Sequence, residues 1–344
     1  MVGQSKPKRH HFLPEFYLNG FARNALLWLY DRQKDEYRCQ TPKNTAVIGH
    51  YYTFLNEQGE DDYSLENFLS QVEGKAKAVI GKLEARQSIS ADDRLYLAQF
   101  IAFLLSRTPK FERETEQIAD SVHKLLAKEM IPTVEAAAQL LRQAGKEDKI
   151  TPESMFKFVH EERFQVKGSR NNTIQIMLDK AEKVTKDLAF MNWLVVQADE
   201  RSAFITTDSP LGYIVPEEFQ RSGEPVLGLA SQKVTKLIPL TQRLALYIGS
   251  FGAGFGYAPV CFSRQQVREF NVIVATECER YVIGRDEALV RCVVSRSKVD
   301  KSDPGTRIRV ENVPHPTDPM RSFLVARRVT ATAPDKPLKI VNDK

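Results

Sequence analysis

The chain has 344 residues, 42% of them hydrophobic and 27% charged, which is enough apolar material for a full core and excludes wholesale disorder. A formal net charge of +5 is too slight over this length to argue nucleic-acid binding by charge alone. Cys39, Cys261, Cys278 and Cys292 are far apart with no CxxC pair; this predicts reduced, buried thiols and speaks against a disulfide framework or zinc ribbon.

Residues 1–11 read as a basic arm, with Lys6, Lys8 and Arg9 leading into His10-His11. Chain termini usually carry little apolar material. Here Phe12, Phe16, Tyr17, Leu18 and Phe21 crowd the start, so a short helical segment closing near Gly20 should be anchored in the fold. Ala25–Tyr30 predicts a strand ending in Asp31, and Tyr37–Gln40 pairs back across the polar run Asp31–Glu36 as an N-terminal β hairpin. Tyr51 and Tyr52 belong to a second aromatic group that packs on this hairpin.

Helical periodicity takes over at Ser64, which is placed to cap the helix carrying Leu65, Leu69, Val72, Ala76 and Val79. A second helix starts after Ser90, with Asp92 and Asp93 in its first turn where the helix dipole favours them. It is apolar nearly all round and should be central and buried. Pro109 interrupts it. Further helices are expected at about 110–128, 134–144, 152–164 (capped by Thr151) and 172–190.

The pattern changes near Asn192. Trp193–Val196 and Ala203–Thr207 read as strands joined by the turn Asp199–Ser202. Leu211–Val215, Val234–Leu240, Leu244–Ile248, Arg280–Gly284 and Leu289–Val294 read as further strands, and Ser263 caps an amphipathic helix to about Ala275. Beyond Ser297 periodicity vanishes. The expectation is an α+β fold: an N-terminal β hairpin, a helical middle (about 64–190) and a β-rich part (about 192–296) in one interlocked domain over 12–296. An irregular, partly disordered tail follows over 297–344. No window approaches the ~18 apolar residues of a membrane span, and no apolar run follows the first charges, so a cytoplasmic protein is expected.

His10, His11, Pro14, Phe16, Tyr17, Leu18 and Phe21 together form the pattern His-His-x-x-Pro-x-Phe-Tyr-Leu-x-x-Phe. This opening resembles that of a bacterial family known as domain-of-unknown-function family 4238. Three later features are similar as well: Glu66 and Glu73 on one helix, Arg107-Thr108-Pro109 after the next, and Thr206-Thr207-Asp208-x-Pro210 after a strand. The resemblance spans about residues 8–285 and implies no settled activity.

The same residues suggest chemistry. Glu66 and Glu73 are seven apart, about two turns, and so share one side of their helix. Arg107 keeps its proton always, so its burial requires an anionic partner: either an internal glutamate or a bound phosphate. Asp208 ends a strand, a position suited to a metal ligand or general base and equally to a turn. His10 and His11 point apart on any regular element. The candidate catalytic set is His10, His11, Asp208 and Arg107, and the candidate metal set is His11, Glu66, Glu73 and Asp208. With Mn, Mg or Zn bound, such a set activates water for phosphodiester cleavage, so a metal-assisted phosphodiesterase or nuclease acting on nucleic acid or a phosphorylated small molecule is expected. The rival is a non-catalytic binding or structural protein whose charges pair internally. HExxH, Walker and GxSxG motifs are absent, and the glycines of Gly252–Gly256 read as a turn.

Overall fold

The computed structural model describes residues 9–49, 54–55, 61–168, 170–215, 231–232, 234–249, 256–297, 299, 307–314, 322–329 and 336–339. Expectations placed on Lys6, Lys8, Tyr51, Tyr52 and most of Gly252–Gly256 lie outside these residues. Contacts group the chain into two units. The first comprises Met1–Glu112 with Arg170–Asp303, and the second Arg113–Ser169 with Pro304–Lys344.

The first unit opens with strand β1 (Arg9–His11) and helix α1 (Glu15–Asn19), followed by the expected hairpin of β2 (Leu27–Asp31) and β3 (Glu36–Gln40). Strand β4 (Val47–Gly49) pairs antiparallel with β1, setting His10 opposite Ile48 and His11 opposite Val47. A short β5–β6 pair (Phe54–Leu55 with Asp61–Asp62) precedes helix α2 (Ser64–Glu84). Ser64 is not the cap of α2 but its first residue; its backbone N–H donates to the Asp62 carboxylate at 2.7 Å. Helix α3 (Ala91–Ser106) begins with a capping box in which Ser90 and Asp93 satisfy each other's backbone N–H groups. Its Leu97, Phe100, Ile101 and Leu104 are all buried. It packs against both α2 and α7 (Arg170–Phe190), which makes it the central helix the all-round apolar pattern predicts.

After α7 the chain builds two sheets. One runs β12-β7-β11-β10-β9, from β7 (Asn192–Ala198), β9 (Gly212–Ile214), β10 (Thr235–Pro239), β11 (Leu244–Gly249) and β12 (Gly256–Phe262). Of these pairings only β12–β7 is parallel. The other sheet runs β3-β2-β13-β8, adding β8 (Thr206–Thr207) and β13 (Tyr281–Gly284) to the N-terminal hairpin. The expected strand Ala203–Thr207 is therefore shorter, and it joins a different sheet from Trp193–Val196. Asn271 explains the loss: its side chain accepts from the Ile205 N–H and donates to the Ala203 carbonyl, replacing ladder bonds.

Helix α8 (Arg264–Thr276) starts at a Ser263/Gln266 capping box as expected. The expected strand Leu289–Val294 is instead part of helix α9 (Glu287–Ser297). Val290 and Val293 form its buried stripe, Asp286 accepts the Leu289 N–H at 2.9 Å, and Glu287 pairs with Arg291 one turn on. A short β-branched run at helical spacing does not by itself distinguish helix from strand. The cysteines also differ from expectation. All four are free, but only Cys278 is buried, while Cys39, Cys261 and Cys292 are exposed.

In the second unit, the chain from helix α4 (Pro109–Met130) runs into α5 (Val134–Gln143) and α6 (Pro152–His160), which share a small core of Ile131, Ala137 and Val159. Helix α6 stops at His160, short of Phe164. Beyond Pro304, where no element is predicted, β14 (Arg307–Pro314), β15 (Ser322–Val329) and β16 (Lys336–Lys339) form an antiparallel sheet. Among the described residues no helix is long and apolar enough to cross a membrane.

Candidate functional site

The aromatic opening is fastened as its composition requires. Phe12, Leu13, Tyr17, Leu18 and Phe21 are all buried in the main core. The Tyr17 hydroxyl donates to the Pro239 carbonyl at 2.9 Å and shares a 2.8 Å hydrogen bond with the Thr206 hydroxyl, and burial pushes its pKa far up. Gly20 lets the chain pass close to the β10–β11 turn. A Cβ there would lie 3.1 Å from both Thr241 Cγ2 and the Tyr17 carbonyl, while the Gly20 carbonyl accepts the Gln242 N–H at 2.8 Å.

This anchor fixes the strand just before it. His10 is buried at 3% exposure, with Nε2 3.8 Å from Glu66 Oε2. His11 lies 3.1 Å through Nε2 from the Lys43 carbonyl. A carbonyl only accepts, so the His11 proton sits on Nε2, and in the neutral ring Nδ1 carries the lone pair.

Opposite the histidines stands α2, on which Glu66, Ser70 and Glu73 recur at i, i+4 and i+7 along one face. Arg107 closes the C-terminus of α3. Its guanidinium is buried, and Nη1 donates to Glu73 Oε1 at 2.7 Å. The Arg-Thr-Pro junction holds it there. The Thr108 hydroxyl donates to the Leu105 carbonyl and accepts from the Phe111 N–H, while Pro109 opens α4 at the first helical position, where it costs no hydrogen bond.

Five of the six predicted residues, His10, His11, Glu66, Glu73 and Arg107, line one pocket of about 220 Å³. Glu15 and Ser70 line it as well, and both escaped the sequence reading. Ser70 was recoverable from its helical spacing to Glu66 and Glu73, and Glu15 from its place inside the opening motif. Three glutamates face one arginine, so with neutral histidines the pocket carries excess negative charge.

Asp208 is not part of this pocket. Its Oδ1 accepts the Glu279 N–H at 3.0 Å and its Oδ2 the Arg280 N–H at 2.7 Å, and its own N–H donates to the Tyr281 carbonyl. It thus clasps the turn before β13 to the end of β8. Burial raises its pKa to about 6 against those bonds and the nearby Lys110 charge. Lys110 itself donates to the Glu277 carbonyl and carboxylate, both at 3.0 Å. Beside them burial pushes the Cys278 thiol up to about 12, with Asp208 adding to the rise. Both carboxylate oxygens of Asp208 are engaged by the turn, so its geometry is that of a structural clasp.

A family model described as "Protein of unknown function (DUF4238)" matches residues 9–288. No curated protein and no solved structure matches the chain.

Proposed function

The chain belongs to domain-of-unknown-function family 4238, and on that premise we propose that it is a cytoplasmic phosphodiester hydrolase, of nuclease type, working at the His10–His11–Glu66–Glu73–Arg107 pocket. The convergence of these five side chains, drawn from β1, α2 and the end of α3, on one cavity carries the reading. His11 Nδ1 takes the proton of the attacking water while Nε2–H holds the ring on the Lys43 carbonyl. Arg107, oriented by Glu73, stabilises the negative charge that builds on the phosphoryl oxygens as the water oxygen bonds to phosphorus and the P–O bond to the leaving group breaks. The departing oxygen takes a proton from solvent, and His11 returns its own to solvent.

The excess of carboxylates over Arg107 would repel a phosphate, so this chemistry calls for a cation. Among the described residues no group of three or more His, Cys, Asp or Glu side chains is disposed around one point. The Glu66 carboxylate, with the His10 imidazole beside it, would hold Mn2+, and the carboxylate alone would serve Mg2+. Bound there, the cation would lower the pKa of water and neutralise phosphate charge.

The test is cleavage of single- and double-stranded DNA, RNA and bis(p-nitrophenyl) phosphate by the full chain with Mg2+, Mn2+ or chelator. Cation-dependent cleavage lost in His11→Ala and Glu66→Gln is expected; no cleavage above a protein-free control refutes the proposal. The buried Arg107–Glu73 pair also favours a second reading, a binding or structural protein whose charges pair internally. It predicts no cleavage by wild type and a His11→Ala variant that only melts earlier.

A further inference from the structure

A second pocket in the first unit has the opposite charge. Arg201, Arg264, Arg268 and Arg285 converge on a cavity of about 250 Å³, in which Asp286 is the only acidic residue. They come from three separate stretches: the turn after β7, helix α8 and the junction between β13 and α9. Asp286 is paired with one of the four, since its Oδ2 accepts the Arg285 Nε–H at 3.1 Å while Oδ1 accepts the Leu289 N–H, which leaves the charges of Arg201, Arg264 and Arg268. The side chains of Arg201, Arg264 and Arg268 make no ion pair or hydrogen bond with another described residue. The nearby Glu287 carboxylate is paired with Arg291.

The backbone reinforces this field. Arg264 is the first residue of α8, which has no acidic residue in its first turn, and Arg268 lies one turn on. Arg285 lies two residues before the start of α9. A cation at a helix N-terminus opposes the helix dipole, so the placement of Arg264 on α8 is unfavourable until an anion arrives, whereas Asp286 and Glu287 already offset the N-terminus of α9. Ala203, Val267, Leu289 and Val293 give the cavity apolar walls, which strengthen charge interactions within it. Asn271, locked to the Ala203–Ile205 backbone, keeps one wall rigid.

We propose that this cavity binds the phosphate group of a small molecule about the size of a pentose phosphate. Arginine forks match phosphate oxygens two at a time, which lysines do not. The volume falls below the usual ~300–1,000 Å³ of drug-sized pockets, so a single phosphorylated unit fits and a nucleic-acid strand does not. No residue of this pocket belongs to the hydrolytic site, and the two assignments stand or fall separately.

Cys292 lines the pocket and is exposed, and so serves as a reporter. The full-length protein is titrated calorimetrically with ribose 5-phosphate, ribose, inorganic phosphate and a ten-nucleotide single strand, and Cys292 alkylation is followed by peptide mass spectrometry, with exposed Cys39 and Cys261 as internal references. Ribose 5-phosphate is expected to bind and to slow Cys292 alkylation at least fivefold with Cys39 and Cys261 unchanged, while ribose does neither. Arg264→Ala should weaken binding about tenfold or more, and Arg268→Ala likewise. Both residues reach solvent, and unchanged circular dichroism and melting confirm that the variants fold. Protection by inorganic phosphate also supports the proposal and assigns recognition to the phosphate alone. The proposal is overturned if ribose 5-phosphate fails to bind or binds without protecting Cys292. It is equally overturned if ribose protects as well, or if the oligonucleotide protects where the small phosphates do not.

Discussion

Tyr17→Phe removes one oxygen from the centre of the N-terminal anchor and leaves the ring in place. In the wild type that oxygen is wholly buried, donates to the Pro239 carbonyl and accepts from the buried Thr206 hydroxyl. A hydrogen bond contributes about 1 kcal/mol net, and stranding a buried partner costs about 1–3 kcal/mol. The substitution should therefore cost about 1–3 kcal/mol, or roughly 2–12 °C in melting temperature at about 2–4 °C per kcal/mol for a unit of this size. Urea unfolding of wild type, Tyr17→Phe, Thr206→Val and the double variant measures both the loss and the coupling, and about 1 kcal/mol of coupling is expected. A loss below about 0.5 kcal/mol, or additive single variants, would refute the claim that this hydroxyl fastens the anchor.

Asp208 titrates higher in the folded chain, about 6 against an ordinary 3.8. Its protonated form is thus favoured by folding, so the stability it confers is full below about pH 4 and lost as pH rises to about 6, some 3 kcal/mol at ~1.4 per pH unit. Asp208→Asn lacks that slope, so its stability relative to wild type should improve between pH 4 and pH 7; a constant or reversed difference in urea midpoints contradicts the assignment. Gly20→Val places methyl groups against Thr241 and the Tyr17 carbonyl and should cost about 1–3 kcal/mol, whereas Gly81→Val on α2, which has no neighbour within 4 Å of its would-be Cβ, serves as the control. Equal losses from the two would show that the approach at Gly20 is not tight.

The parts of this fold that were legible in the sequence are those whose signals are local. Ser90 with Asp93 and Ser263 with Gln266 announce helix starts within four residues, and Pro109 marks the break between α3 and α4. The aromatic opening was legible as core because so dense a run of large apolar residues, Phe12 to Phe21, needs burial. The misreadings arose where distant residues decide. Ala203–Ile205 looks like a strand until Asn271, far downstream, takes its backbone bonds. Leu289–Val294 is β-branched enough for a strand, and only Asp286 and the pairing of Glu287 with Arg291 declare the helix. The histidine–glutamate pocket was legible because Glu66 and Glu73 lie at helical spacing and the other members fall in short motifs. Asp208 carried the same kind of signal yet went to a turn, since nothing near it in sequence announces Glu279 and Arg280 as its partners. The four arginines of the second pocket, apart from Arg264 and Arg268, share no spacing at all, and only the folded chain brings them together.

The long reach of the Tyr17 bonds, to partners 189 and 222 positions downstream, has a consequence for the order in which the protein is made. Every side chain of the histidine–glutamate pocket has been synthesised by Glu112, but the fastening of its N-terminal wall waits for Thr206 and Pro239. Residues 113–169, which belong to the second unit, are made in between. At about 5–20 residues per second this is a delay of roughly 6–25 s, during which the aromatic opening emerges without its final partners. That interval invites chaperone capture of the nascent N-terminus. Ribosome-stalled chains ending before Thr206 should expose the Phe12–Phe21 segment to protease, whereas chains stalled well past Leu244 should protect it; equal sensitivity in both would show that the anchor closes without the downstream strands.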